Sequence, residues 1–166
     1  MHPEQPGDLA VLTSLIQEIR VGLLTTQDAQ GRFHTRPVET LQVDAHRTLW
    51  FFTDWSTPKV GELEAHSQVS VGYADIGNNR FAVVSGSSQL LRDTRKARQL
   101  WSTPQLAYYP QGPADPRLAL LRVEIERAEY WLAPGRGGYL IAALRAALTG
   151  QPAGVVGENH KIERDS

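Results

Sequence analysis

The chain contains no cysteine in its 166 residues, which excludes a disulfide framework, thiolate catalysis and sulfur-ligated zinc or iron–sulfur centres. Redox chemistry in this protein would therefore come from a bound cofactor. An excess of one charge is missing too: 17 Lys and Arg against 18 Asp and Glu give a formal net charge of −1. No overall field draws such a chain onto nucleic acid or an anionic membrane. Long hydrophobic runs are also lacking. The most apolar stretch near the C-terminus, 139–148, is interrupted by Arg145 and is about half of the ~20 residues that span a bilayer. The N-terminal MHPEQPG has neither the basic start nor the apolar run of a secretory signal, so the expected location is the cytoplasm. With 41% apolar and 21% charged residues, the whole of 1–166 reads as one domain. Its body spans 8–150, and 151–166 is a polar tail expected to lack fixed structure.

What is present is patterned. Leu9, Leu12, Leu15, Ile16 and Ile19 recur at helical steps behind Asp8, a candidate cap. Short β-rich runs follow at 21–27, 32–43 and 48–53, separated by the turn signals DAQG and DAHR, and read as a three-stranded antiparallel meander. Pro58 suits the first position of a short helix over 58–66. Strands are expected at 69–73 and 81–91, with Gly86 marking a bulge or a close approach. Asp93 can cap a helix carrying Leu100 and Trp101, and 103–116 reads as a loop rich in Pro and Tyr. Leu121, Val123 and Ile125 alternate with Arg122, Glu124 and Glu126 in a half-solvated last strand. The glycine-rich 135–138 then separates that strand from an amphipathic helix over 139–148, which Gly150 can close. The expected fold is mainly β (α+β): a small barrel of six antiparallel strands with flanking helices, not a doubly wound parallel sheet.

Two stretches could carry chemistry. In Phe52-Thr53-Asp54-Trp55-Ser56-Thr57-Pro58-Lys59, hydroxyls and a lysine collect where a strand hands over to a helix. Unpaired N–H groups and the helix dipole favour an anion such as phosphate at such a place, and Lys59 would add a charge. Equally, Ser56 or Thr57 could simply cap the helix, with Lys59 in solvent. In Phe33-His34-Thr35-Arg36-Pro37-Val38, an Arg-Pro pair interrupts a strand and places Arg36 on the same face as His34 and Val38. A guanidinium there does best with an anionic partner, or it is an exposed edge arginine.

These residues, taken with LWFFTD, Val84-Ser85-Gly86, Leu100-Trp101, Tyr109-Pro110-Gln111-Gly112, Glu129-Tyr130-Trp131 and Leu148-Thr149-Gly150 in that order, make the chain resemble the general stress protein branch of the pyridoxamine 5′-phosphate oxidase-like family. The resemblance implies a split β-barrel that binds FMN at the interface of a homodimer. It assigns Arg36, Pro37 and Val38 to the flavin side of the second strand, and Phe52 and Thr53 to the ring and ribityl chain. Ser56, Thr57 and Lys59 would hold the phosphate, and Trp101 and Trp131 would approach the flavin from the partner subunit. It also implies a flavin-dependent oxidoreductase that uses a small-molecule electron donor or acceptor. A flavin-binding sensor or storage protein, or the same fold holding deazaflavin or haem, is the alternative. Arg136 and Arg145 stand isolated, with no cluster to grip a substrate phosphate, which argues against true pyridoxamine phosphate oxidation.

The remaining signals have plainer readings. Glu62 and His66 are one helical turn apart but make only two ligands, so no metal site is expected. Gly135-Arg136-Gly137-Gly138 lacks the third glycine of a dinucleotide loop. Arg92, Arg95, Lys96 and Arg98 form a solvated helix face rather than a nucleic-acid patch. Tyr108 and Tyr109 could rim a pocket or fill a dimer seam. No side chain stands out as a general acid or base.

Overall fold

The computed structural model describes residues 7–133, 136–150 and 158–163. Along the chain these form α1 (Asp8–Ile19), β1 (Val21–Gln27), β2 (Phe33–Glu39), β3 (Gln42–Val43), β4 (Thr48–Asp54), α2 (Lys59–Ala65), β5 (Gln68–Asp75), β6 (Arg80–Leu91), α3 (Thr94–Leu100), β7 (Leu118–Leu132), α4 (Arg136–Thr149) and β8 (Glu158–Glu163). Among the described residues no helix is long and apolar enough to cross a membrane.

All the strands join one antiparallel sheet in the order β2-β1-β5-β6-β7-β4-β3, with β8 added on β7. The two ends of that order, β2 and β3, are neighbours in the chain. The turn between them is pinned by consecutive amides: Thr40 N–H donates to the Arg20 carbonyl and Leu41 N–H to the Trp50 carbonyl, each at 2.8 Å. The Thr40 hydroxyl is buried against the Tyr73 hydroxyl, 2.7 Å away. The sheet therefore curls back on itself into a half-barrel. Its interior is filled by Leu24, Leu49, Phe51, Val71, Val84, Leu121 and Ile125, together with Leu12, Leu15 and Ile16 from the apolar stripe of α1. A smaller apolar group, Ala97, Tyr109 and Leu118 with Phe52 and Trp101, packs on the reverse face of β4 and β7.

Several expectations change. Among the described residues the sheet has eight strands rather than six. The run 32–43 is two strands, not one, because its backbone switches partners at Thr40 and Leu41. The meander does not form: β4 pairs along its length with β7, and only the two-residue β3 connects it to the preceding run. β7 is a central strand of 15 residues and not the last one, since β8 follows it, while the expected alternation holds: Leu121, Val123 and Ile125 are buried and Arg122, Glu124 and Glu126 are partly exposed. One edge of β7 pairs with β6, and the other is shared end to end by β4 and β8. Leu118–Leu121 is consequently covered on both faces. Part of the polar tail is ordered as β8, whose inward positions are His160 and Ile162, the latter 1% exposed. Gly7 rather than Asp8 is the N-cap of α1. Asp8 lies inside the first turn, buried, where it accepts the Tyr130 hydroxyl at 2.7 Å beneath the stacked His160 ring. The helix expected over 139–148 begins at Arg136, while Gly135 falls outside the described residues.

Other expectations hold. Asp93 caps α3 by accepting the Lys96 N–H. Gly150 closes α4 at φ 65°, donating its N–H to the Ala146 carbonyl. At Gly86 the β6–β7 register shifts, and a Cβ there would sit 1.8 Å from the Glu124 carbonyl oxygen. Backbone cannot yield as a flexible side chain does, and overpacking typically costs 1–3 kcal/mol. Gly86→Ala is therefore expected to lower the unfolding free energy by about 2 kcal/mol or more, read as a reduced urea midpoint.

Candidate functional site

Strand alternation sends His34, Arg36 and Val38 of β2 to one side of the sheet and Pro37 to the other, where the edge strand tolerates its missing N–H. Across the hairpin, Thr26 of β1 pairs with His34. The Thr26 hydroxyl donates to Glu62 Oε2 and accepts from Arg36 Nη1, each at 2.5 Å, and Arg36 Nη2 reaches the same Glu62 oxygen at 2.6 Å. Thr26, Arg36 and Glu62 thereby lock β1, β2 and α2 together. Burial raises the affinity of Glu62 for a proton, but the bonds from Thr26 and Arg36 prevail and hold its carboxyl below the ordinary value.

The turn from β4 into α2 is built by Asp54. Its Oδ1 accepts the Ser56 N–H at 2.8 Å and the Ser56 hydroxyl at 2.6 Å, while its carbonyl accepts the Thr57 hydroxyl at 2.8 Å. Neither hydroxyl caps α2, whose N-cap is Pro58. Lys59 in the first turn donates from Nζ to Thr53 Oγ1 at 2.9 Å. Burial, and next the nearby Arg36 guanidinium, pull the Lys59 ammonium below its ordinary pKa. An ammonium has three donors, so one bond to Thr53 leaves others for a ligand. A cleft of about 520 Å³ opens here, lined by His34, Arg36, Thr57, Pro58, Lys59 and Glu62.

Sequence reasoning had not combined His34 with the turn beside it. His34 Nε2 lies 3.0 Å from Asp28 Oδ2. Asp28 also accepts the backbone N–H groups of Gln30 and Arg32 and the Arg32 Nε, at 2.9–3.0 Å. The His34 bond first, with the Arg32 backbone bond next, keeps the Asp28 carboxyl far below its usual range.

Of the residues expected at a site, Arg36, Thr57 and Lys59 therefore converge, and Thr53 touches Lys59. Ser56 sits in the adjoining turn with its hydroxyl committed to Asp54. Val38 is buried in the core beyond Arg36. Phe52 points to the face opposite Thr53, against Trp101 and Tyr109 with ring centroids 5.8 and 6.2 Å away. Trp131 lines a different depression, on the outer face of β1, β5 and β6. Within one chain neither tryptophan lines the cleft. Thr26, Asp28, His34 and Glu62 are the additions. The signals were the hairpin register that sets Thr26 opposite His34 and the three-residue step that puts Lys59 and Glu62 on one helix face. The arrangement has the donor chemistry for a phosphate: one ammonium and one guanidinium already oriented by a carboxylate, with a threonine and an imidazole lining the cleft beside them.

The comparisons agree with this architecture. Protein bli-3 of Neurospora crassa is 22% identical over 168 residues, covering 93% of this chain and 80% of the fungal one. Among solved structures, a Clostridium acetobutylicum protein related to general stress protein 26 of B. subtilis, of the pyridoxinephosphate oxidase family, superposes with a TM-score of 0.70 at 18% identity over 93% of both chains. The general stress FMN/FAD binding protein of Xanthomonas citri superposes with a TM-score of 0.64 at 28% identity, over 74% of this chain and 86% of its own. Residues 8–153 match the family described as Pyridoxamine 5'-phosphate oxidase like, a span that contains β1 to β7 and every residue lining the cleft, and the chain belongs to that family.

Proposed function

We propose that the cleft between β2 and the start of α2 seats the phosphate of FMN, and that the protein is a flavin-dependent oxidoreductase acting on a small molecule in the cytoplasm. The observation that carries this is the convergence of Arg36 and Lys59 from separate elements on one cleft, with Thr57 and His34 beside them. A bound flavin supplies acceptance or donation of a hydride or an electron pair.

The chain's own residues would act by position and charge. Lys59 donates to the phosphate beside Thr57, whose own hydroxyl is given to the Asp54 carbonyl, while Glu62 and Thr26 hold the Arg36 fork in a single orientation. Ser56 stiffens the turn through Asp54. By the family resemblance, the β2 and β4 backbone at Pro37, Val38, Phe52 and Thr53 would follow the ribityl chain and ring, with the Val38 side chain in the core and that of Phe52 turned to Trp101 and Tyr109. Water exclusion over the ring falls to Trp101 and Trp131 of a second subunit, since an indole face can cover a flat heteroaromatic ring.

A homodimer suits the outer face of the sheet. Val21 is 54% exposed there, Leu23 55% and Val83 40%, with Phe33 on the adjacent edge strand 74% exposed. Phe81 and Trp131 line the same depression, of about 580 Å³. Contiguous apolar surface of this kind marks an association site, and a second copy seated there would enclose Trp131.

Four outcomes test this reading. The freshly purified protein, or protein reconstituted with FMN, is expected to show flavin absorption and quenched flavin fluorescence; a Soret band would instead assign haem. Anaerobic nicotinamide cofactor is expected to bleach the flavin, and failure across plausible donors would leave a sensor or storage role. Lys59→Ala is expected to weaken FMN binding by about 1–3 kcal/mol, the scale of a charge-assisted hydrogen bond, measured by fluorescence titration. For the interface, Leu23→Asp is expected to convert a dimer to a monomer in light scattering and to weaken FMN retention with it.

A further inference from the structure

We propose that His34, clamped by Asp28, is a proton-linked anchor for the ligand's terminal phosphate, so that the cleft takes up a dianionic phosphate monoester together with one proton. The inference rests on the phosphate reading of the cleft and adds the ligand class and its pH dependence. His34 Nε2 faces Asp28 Oδ2 at 3.0 Å, and Asp28 is further tied by Gln30 and Arg32. A carboxylate only accepts, so Nε2 must carry a hydrogen. In the neutral imidazole that leaves Nδ1 as a lone-pair acceptor, and among the described residues no hydrogen bond engages it.

A phosphate monoester that has lost both protons also offers only acceptor oxygens. Set beside the neutral ring, acceptor would face acceptor. One proton from solvent, added at Nδ1, turns the ring into a donor on both sides: Nε2–H to Asp28 and Nδ1–H to phosphate. No bond other than N–H is made. Imidazole is the side chain whose unperturbed charge change lies between pH 5 and 8.

The charges that face His34 decide the sign. Asp28 and Arg32 come from the β1–β2 turn, Arg36 from its own strand, and Lys59 and Glu62 from α2. Arg32 and Arg36 are each paired with a carboxylate, Asp28 and Glu62 respectively, whereas Lys59 feels the more distant Glu62 and Asp54 charges but makes no ion pair among the described residues. A dianion beside a cation that no ion pair engages favours a second positive charge on the ring. Binding therefore raises the proton affinity of His34, and ligand affinity is greatest at low pH and lost as pH rises. A phosphodiester, with one negative charge per phosphorus, gains less from the second cation.

The test is FMN affinity by fluorescence titration at pH 6.5, 7.5 and 8.5, with riboflavin as the phosphate-free control. For the wild-type chain FMN affinity is expected to fall about tenfold across this range, while riboflavin binding stays flat. His34→Gln is expected to bind FMN at pH 6.5 as weakly as the wild type does at pH 8.5, and without a slope. His34→Lys, which keeps its charge throughout, is expected to retain binding with the slope abolished. An undiminished slope in His34→Gln would overturn the proton anchor while leaving the flavin reading intact. Failure of the wild type to bind FMN at any of these pH values would overturn both.

Discussion

The amides of Thr40 and Leu41 are adjacent in the chain, yet they bond to Arg20 and Trp50, which belong to opposite ends of the sheet. That hand-over makes the curvature. Because β2 and β3 are one continuous segment, the strand carrying Arg36 is brought round to face the helix that follows β4. Thr40 can sit at the crossing only because its hydroxyl is satisfied by Tyr73; a buried hydroxyl without a partner would cost more than the turn could offset. The cleft is thus a product of closure rather than of any local motif. Its two cations arrive on different elements, and the sheet must curl before they meet.

Once they meet, their charges need managing. Two like charges near a partly desolvated wall repel, and the lowered proton affinity of Lys59 reflects both burial and the proximity of Arg36. Glu62 answers the second part by pairing with Arg36, and Thr26 completes the guanidinium's bonding at the opposite corner. Such pairing rarely adds much net stability when desolvation is counted. Its value here is directional, because it fixes a fork that would otherwise sample many rotamers and leaves Lys59 as the group with donors to spare.

Much of this was legible locally and some of it was not. Gly86 announced itself because a glycine inside a β-rich run has few reasons to be there, and Asp93 because an acidic residue ahead of a helical pattern is a cap. Lys59 and Arg36 could be singled out by the junction and the Arg-Pro break. The strand partners could not. β4 is as apolar and β-branched as a meander strand should be, yet it pairs with β7, far along the chain, and nothing in either segment names the other. Asp28 looked like a turn residue and is one; that its second oxygen also holds His34 depends on the hairpin register. Asp8 seemed a cap because its position allowed it, but a buried Tyr130 hydroxyl needs an acceptor, and that need prevailed.

β8 lies beside β7 through residues 127–132, with Ile162 sealed into the interior and His160 stacked on Tyr130. Without β8, residues 127–132 of β7 would present an unpaired edge on that side, beyond the stretch that β4 covers. An unpaired antiparallel edge next to apolar surface invites pairing with a neighbouring nascent chain. β8 thus acts as a cover for that edge, supplied by the same chain.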